Sequence, residues 1–310
     1  MRFTLRQLSY FVAAGETGSV TRAAELVNIS QPSVSAAIAH LESEFGVQLF
    51  VRQHAQGLTL TPAGERLLLA ARESLRSAQE LYGVAGTAAG VVSGRLNLGT
   101  FRTFAPLVVP EIWRSFTGLY PEVRMNVTVE SEATLLDGLR RARIDIALTY
   151  DMHLGEDMTF QRLAELPTHV LLAADHPLAG RASLRLDALA GEPFILLGLP
   201  LSRQYFLSLF EKAGVQPRTV LETPDTAMLR SFVAAGIGYS LMTSRPLNMR
   251  AENDRPLAYV PLEGDIPPLV IGLASLKDIR RTRLIEAFDE HCRRTIVPGS
   301  IPGMQKFTPG

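Results

Sequence analysis

Gln31, Ser33 and Ser35 lie two residues apart at the opening of a helical pattern. At a helix start, these side chains have a definite chemistry. Glutamine can pair bidentately with adenine, and serine can serve bases or phosphates. Ser30 can cap that helix, and Pro32 suits its first turn because the missing proline N–H would have no intrahelical partner there. Pro32 can also touch a thymine methyl, although its helix-start role alone accounts for it. Ser33 and Ser35 remain open to local capping as well as to DNA contact. Arg52 is a candidate phosphate contact, its alternative being a solvated surface cation. Thr59 can touch a nucleic-acid backbone, and so can Thr61, which is more readily spent on a helix cap.

Catalytic chemistry is not legible beside these residues. There is no GxSxG, P-loop or HExxH motif. His153, His169 and His176 have no metal-ligand spacing, and His176 belongs to an Asp-His-Pro turn. Cys292 is the only cysteine. One thiol forms neither an internal disulfide nor a multi-cysteine zinc site, so it reads as buried or inert. No catalytic residue, metal or cofactor is expected, and a peroxide sensor using an internal disulfide is excluded.

The elements that position these residues follow from apolar spacing. Leu5, Leu8, Phe11 and Val12 share one helical face, which predicts a helix over about 4–15. Ser19 can cap a short helix ending near Val27. Ala23 and Ala24 are small, as two closely crossing helices require. After the Asn28-Ile29-Ser30 turn, Val34, Ile38, Leu41 and Phe45 mark the core face of a helix stopped by Gly46. Two short helices joined by about four residues are the helix-turn-helix pattern. Leu49-Phe50-Val51 and Leu58-Thr59-Leu60, around Gly57, form a small hairpin, or wing.

Thr61 and Pro62 restart a helix, with Glu65 complementing its dipole. Leu68, Ala71, Leu75, Ala78 and Tyr82 then give a coiled-coil seam of about two heptads, or else a stripe packing on its own module. The Gly-rich segment GVAGTAAGVVSG, 83–94, reads as a hinge. Beyond it strands and helices alternate, which predicts α/β lobes with largely parallel sheets. Strands are expected at 95–99, 124–130, 145–149, 168–173, 194–197, 219–222, 239–242 and 269–273, with a closing helix over about 277–294. Two such lobes make a clamshell with a ligand cleft where the strands end.

Composition bounds these readings. The chain has 310 residues, 46% apolar and 20% charged, which supports packed cores in about two domains. Lys+Arg and Asp+Glu are both 31. Through residue 62, Arg2, Arg6, Arg22 and Arg52 are balanced by Glu16, Glu25, Glu42 and Glu44. Bulk charge therefore gives no support for nucleic-acid binding, and motif geometry must carry that reading. No signal peptide or apolar run of membrane-spanning length is read, so a cytoplasmic protein without membrane contact is expected.

The segment LRQLSYFVAAGETGSVTRAAELVNISQPSVSAAIAHLESEFGVQLFVR, followed by LTLTPAGE, resembles the DNA-binding module of LysR-type regulators over roughly residues 4–65. The matched positions include Ala23-Ala24, Ser30-Gln31-Pro32, Ser35, Ile38, Leu41-Glu42, Gly46, Leu49-Phe50, Arg52 and Leu60-Thr61-x-Ala63-Gly64. GRLNLGT, YPEVRMNVTVE, IDIALTY, ADHPLAG and the VAAGIGYSLM run resemble, more weakly, the family's effector domain over about 93–295. That domain is similar to type 2 periplasmic binding proteins.

The resemblance implies an α plus α/β architecture. A winged helix-turn-helix covers 1–62, and a linker (dimerisation) helix with its hinge covers 63–92. A two-lobed effector domain covers 93–300, with lobe I at about 93–164 and 267–300 and lobe II at about 165–266. It implies that Gln31, Pro32, Ser33, Ser35, Arg52 and Thr59 face DNA. It maps the effector cleft to Thr100, Phe101, Arg102 and Thr103, to Ser202 and Arg203, and to the run from Gly238 to Met242 and Thr243. Thr100, Thr103 and Ser202 suit an anion site at a helix N-terminus. Arg102 and Arg203 are candidate clamps for a carboxylate, or outward-pointing surface arginines. Phe101 and Tyr205 would give an aromatic wall or pack in the core.

The implied partners are double-stranded promoter DNA, a small-molecule effector, a second copy in a dimer and a tetramer of two such dimers, with RNA polymerase as a further candidate. The operator is expected to be an imperfect palindrome, often of the T-N11-A type. Three departures stand out. Ala36 replaces a frequent basic residue, Gln53-His54-Ala55-Gln56 replaces a frequently basic wing, and Ala142 stands where glycine is common. The competing readings are a periplasmic-type solute-binding protein without a transcriptional role, which leaves residues 1–65 unexplained, and an enzyme on an α/β scaffold, for which no catalytic constellation exists.

Overall fold

The computed structural model describes residues 2–53, 57–87, 92–277 and 281–306. The wing tip 54–56 and part of the 83–94 hinge lie outside the described residues, as do the side chains of Arg52, Gln53 and Tyr82.

The N-terminal module is built from α1 (Leu5–Thr17), α2 (Val20–Leu26), α3 (Gln31–Phe45), β1 (Phe50–Gln53) and β2 (Gly57–Leu60). Thr4 and Gln7 close a reciprocal capping box on α1, and Ser19 accepts from the Arg22 N–H to start α2. Ala23 and Ala24 are buried where the helices cross, under Phe11, Val34, Ile38 and Leu41. Phe45, expected in that core, is only partly buried and stacks at 5.3 Å on Phe3. The two wing strands pair antiparallel, Phe50 opposite Leu60.

α4 (Pro62–Thr87) follows at once. The Thr61 hydroxyl accepts from the Gly64 N–H at 2.9 Å and donates to the Gln48 carbonyl at 2.6 Å. One side chain thus caps the helix and ties it to the wing. Leu68 and Ala71 are buried in the N-terminal core, with Leu75 packed at its edge. The first half of the expected coiled-coil seam is therefore spent on the chain's own module. Arg72, also buried, donates to Glu16 of α1 at 2.7 Å and to the Arg141 carbonyl in the C-terminal domain. It is a direct polar link between the two parts of the chain.

Lobe I contains β3 (Gly94–Phe101), α5 (Ala105–Leu119), β4 (Val123–Glu130), α6 (Glu132–Arg140), β5 (Ile146–Tyr150) and β6 (Met158–Leu166). The chain crosses to lobe II for β7 (His169–Ala173), β8 (Pro193–Leu197), α7 (Pro200–Lys212), β9 (Arg218–Thr223), α8 (Thr226–Ala234), β10 (Ser240–Met242) and β11 (Leu257–Pro261). It returns for β12 (Leu269–Leu276) and α9 (Arg283–Thr295).

The lobe I sheet has the order β4-β3-β5-β12-β6, in which β3 runs parallel to β4 and β5 while β12 runs antiparallel to β5 and β6. In lobe II, β10-β7-β11 is antiparallel and β8-β9 parallel. The sheets are mixed, not largely parallel as expected. β6 and β11 account for much of the difference. β6 carries Arg162 and Glu165, which break its apolar run as the outer face of an antiparallel edge strand allows. β11 is short, preceded by Pro256 and ended by Pro261. Ala142 adopts φ 49°, so the turn before β5 keeps a left-handed conformation that glycine would adopt without strain.

Candidate functional site

The opening turn of α3 is exposed. Gln31, Pro32 and Ser33 face solvent, whereas Val34, Ala37, Ile38 and Leu41 are buried on the opposite face. Ser35 is half-buried. Ser30 stands at the N-cap in extended backbone, but its hydroxyl makes no cap bond. It pairs with the Ser33 hydroxyl at 2.9 Å instead. This corrects the capping expectation and leaves two hydroxyls together on the outer surface. The Ser33 and Val34 N–H groups are spent on the Ser30 carbonyl and Pro32 has none, so the exposed polar side chains are what this helix start offers to base edges and phosphates.

The wing is fixed relative to this helix by Glu42. Its carboxylate accepts from the Leu49 N–H at 2.8 Å and the Phe50 N–H at 3.3 Å. The far strand is held by the Leu58 N–H donating to the Gly18 carbonyl at 2.8 Å. Thr59 is exposed on β2 opposite Val51. Arg52 sits on β1 opposite Leu58.

The second candidate site is where the two lobes meet. β3 and β5 end at Phe101 and Tyr150 on one side, and β10 ends at Met242 on the other. The Tyr150 hydroxyl bonds Thr103 at 2.9 Å and reaches Thr243 of lobe II at 3.4 Å. It bridges the cleft. The Tyr205 hydroxyl bonds Thr168 at 2.7 Å and donates to the Pro267 carbonyl at 2.8 Å, tying α7 to both crossover segments. The Thr100 and Thr149 hydroxyls are buried at the ends of adjacent strands with no hydrogen-bond partner among the described residues. Ser202 is buried in the first turn of α7.

The remaining residues expected at the cleft are in varied settings. Phe101 is buried against Phe104 and Tyr150 in the lobe I core, and Tyr205 is spent on the crossovers, so neither forms an open aromatic wall. Arg203 is about half exposed and lies 3.5 Å from Glu222, so its charge already has a partner on its own lobe. Arg102 is exposed. Sequence reasoning missed Thr149, Tyr150, His169 and Arg245. The position of Thr149-Tyr150 at the end of a parallel strand was the available signal.

Residues 5–65 match the family described as "Bacterial regulatory helix-turn-helix protein, lysR family", and residues 89–296 match "LysR substrate binding domain". The chain belongs to the LysR family.

Among similar LysR-type proteins, YybE, an uncharacterised HTH-type transcriptional regulator of Bacillus subtilis, is 30% identical over 92% of this chain and 96% of its own length. HinK of Pseudomonas aeruginosa, a LysR family transcriptional regulator, superposes with a TM-score of 0.65 at 35% identity, covering 95% of this chain and 99% of HinK. A full-length OxyR variant from the same species gives a TM-score of 0.75 at 26% identity, covering 94% of this chain and 98% of OxyR. The chain is thus a LysR-type transcriptional regulator with an effector-binding domain. Unlike a reactive thiol, Cys292 of this LysR-type chain is fully buried in α9, and burial pushes its pKa up.

His169 is 3% exposed, and among the described residues neither ring nitrogen makes a hydrogen bond of standard geometry. Burial first, then the charge of Arg245, pushes its pKa down to about 4, against a smaller opposing effect of the Pro167 carbonyl. The unfolded chain, with an ordinary histidine near pH ~6.5, therefore takes up the proton first. The stability difference is fully present above that pH and is lost as pH falls toward 4, on the order of 3 kcal/mol in total. Urea unfolding of the wild type and His169→Phe at neutral and acid pH tests this. The variant is expected to lose less stability on acidification, and equal losses would reject it.

Proposed function

We propose that this LysR-type regulator binds an imperfect palindrome near a promoter as a homodimer, assembled further into a tetramer. In this reading a small, carboxylate-bearing effector seats between the lobes and changes how the DNA is bent. The observation that carries it is the exposed opening turn of α3, with Gln31, Pro32 and Ser33 outward and the apolar face beneath. Gln31 reads an adenine, Ser33 and Ser35 serve bases or phosphates, and Arg52 and Thr59 approach the backbone from the wing.

Pairing of protomers follows from charge and from α4. The DNA-binding module is electrically balanced, so one copy gains little from counterion release. Two linked modules raise the effective concentration of the second. α4 runs on to Thr87, past its packing on the N-terminal core, and exposes Leu69. A second α4 is the proposed partner for that stretch.

The effector side rests on the buried hydroxyls of Thr100, Thr149, Thr103, Ser202 and Thr243, of which Thr103 and Thr243 are joined across the lobes through Tyr150. An effector shifts the lobes only by binding one arrangement better than another. The protein acts in the cytoplasm and is not an enzyme in this reading, in keeping with relatives that are transcriptional regulators. Among the described residues no helix is long and apolar enough to cross a membrane. RNA polymerase is a further proposed partner.

DNase I footprinting on DNA upstream of its own gene tests the reading. The expected result is a protected pseudo-palindrome, with a shallower dependence of affinity on salt than a relative with a basic wing shows. Uniform, sequence-independent binding would contradict it.

A further inference from the structure

We propose that Arg245 and His169 form an anion-binding subsite at the base of the cleft, taking a carboxylate or another oxyanion of the effector. The inference rests on the cleft reading above and names which residues meet the charge. β10 pairs with β7 so that Met242 lies opposite His169, at the point where the first crossover enters lobe II. The chain leaving β10 passes Thr243, which reaches Tyr150 of lobe I, and arrives at Arg245 two residues later.

Elsewhere, among the described residues, each buried guanidinium has at least one acceptor. Arg230 donates to the Asn248 and Arg250 carbonyls at 3.2 and 2.6 Å and to the Tyr259 hydroxyl. Arg72 is met by Glu16 and the Arg141 carbonyl, although its Nε, like that of Arg245, is shielded without an acceptor. Arg245 is different. It is half-buried, its Nε is shielded from solvent without an acceptor, and no described carboxylate lies within ion-pair distance. His169, whose ring feels that charge, is 3% exposed and makes no hydrogen bond of standard geometry among the described residues, interacting only weakly with the Pro167 carbonyl.

Buried donors left unpaired are costly, and a half-buried guanidinium without a carboxylate partner lacks an acceptor, best a charged one. The Arg245 guanidinium and a neutral His169 ring together offer N–H groups and no carboxylate. The nearby tyrosine that also feels Arg245, Tyr259, has its hydroxyl engaged by Arg230.

The backbone around Arg245 is positioned from the other lobe. The Gln305 N–H donates to the Arg245 carbonyl at 2.8 Å, the Leu247 N–H donates to the Gly303 carbonyl at 3.2 Å, and Pro246 bridges Met304. Gly303 in turn presses on α5 so closely that a Cβ there would stand 2.0 Å from the Leu107 carbonyl oxygen. The segment 245–247 is thus covalently part of lobe II but held through the C-terminal strap to lobe I. An anion drawn onto Arg245 acts on a contact between lobes, which gives its binding a route to the lobe angle.

Calorimetric titration of the full-length protein at constant ionic strength tests the subsite, with sulfate, inorganic phosphate, acetate and benzoate as probes and benzamide as the neutral match. At least one anionic probe is expected to bind saturably, and Arg245→Gln, verified as folded by circular dichroism, is expected to weaken it at least tenfold. Arg185→Gln, an exposed lobe II arginine paired with Asp187, is expected to leave it within twofold. His169→Phe is expected to weaken binding as well, by a smaller factor. Wild-type affinity in Arg245→Gln, or no saturable binding of any anionic probe to the wild type, would overturn the subsite. Benzamide binding as tightly as benzoate would also overturn it while leaving the cleft reading intact. Arg245-dependent benzoate binding that never changes DNA binding would do the reverse, keeping the subsite and removing effector control.

Discussion

Gly64→Ala is expected to abolish specific DNA binding while leaving the effector domain folded. Gly64 sits in the first turn of α4, where a Cβ would stand 2.1 Å from the Leu49 carbonyl oxygen and 3.1 Å from the Leu60 side chain. That carbonyl cannot swing aside cheaply, because it accepts the Thr61 N–H at 3.0 Å. The added methyl must push α4 away from the wing and so break the Thr61 stitch to Gln48. Overpacking against pinned backbone costs about 3 kcal/mol or more. The unfolding midpoint of the N-terminal module should fall by more than about 10 °C, given its size. Calorimetry together with a gel shift checks both parts. An unchanged midpoint with normal DNA affinity would show that the junction is looser than described.

Glu42→Ala is the second large effect expected. The Glu42 carboxylate is the shared acceptor for the Leu49 and Phe50 N–H groups, and Leu49 is fully buried. Hydrogen bonds to a charged group are worth about 1.5–3 kcal/mol each, and donors left unpaired in the interior add to the loss. The variant should lose about 2–3 kcal/mol in urea unfolding, with m unchanged. Its specific DNA affinity should fall roughly tenfold, because the wing is no longer set against α3. Glu42→Gln keeps one acceptor oxygen and should recover about half of the stability. Full stability in Glu42→Ala would mean that the hairpin holds its place by packing alone.

These effects show which parts of the design the amino-acid order exposes. Local chemistry was legible: Ser19 before α2, Thr61 with Pro62 at the start of α4, and the Val34, Ile38 and Leu41 face of α3 all obey short-range rules. The winged module is made of such rules laid end to end. Interactions between distant segments were not legible. Leu68 and Ala71 have the spacing of a coiled-coil seam, yet the α1 surface takes them first. A heptad pattern states that a face is apolar and is silent about which surface covers it.

The cleft shows the same limit. Arg203 occupied the expected loop, but Glu222, on a strand nineteen positions later in the chain, neutralises it. Arg245 and His169 are far apart in sequence, and the pairing of β10 with β7 brings the segments that carry them together. Tyr150 connects the lobes through Thr243, another contact between segments far apart in sequence. Arg72 reaches the Arg141 carbonyl across the junction between domains, which no helical periodicity could announce. Charge patterning likewise hid β6, whose Arg162 and Glu165 belong to an outer strand face.

The central claim is that the exposed first turn of α3 reads bases. Gel-shift titration of the wild type and Gln31→Ala, at one fixed salt concentration, on the protected upstream sequence and on an unrelated duplex, addresses it most directly. Loss of a bidentate contact is expected to cost about 1–3 kcal/mol on the specific site, roughly 5- to 150-fold, with binding to the unrelated duplex unchanged. Equal affinity of both proteins for the specific site, or an equal loss on both duplexes, would contradict base reading by that turn.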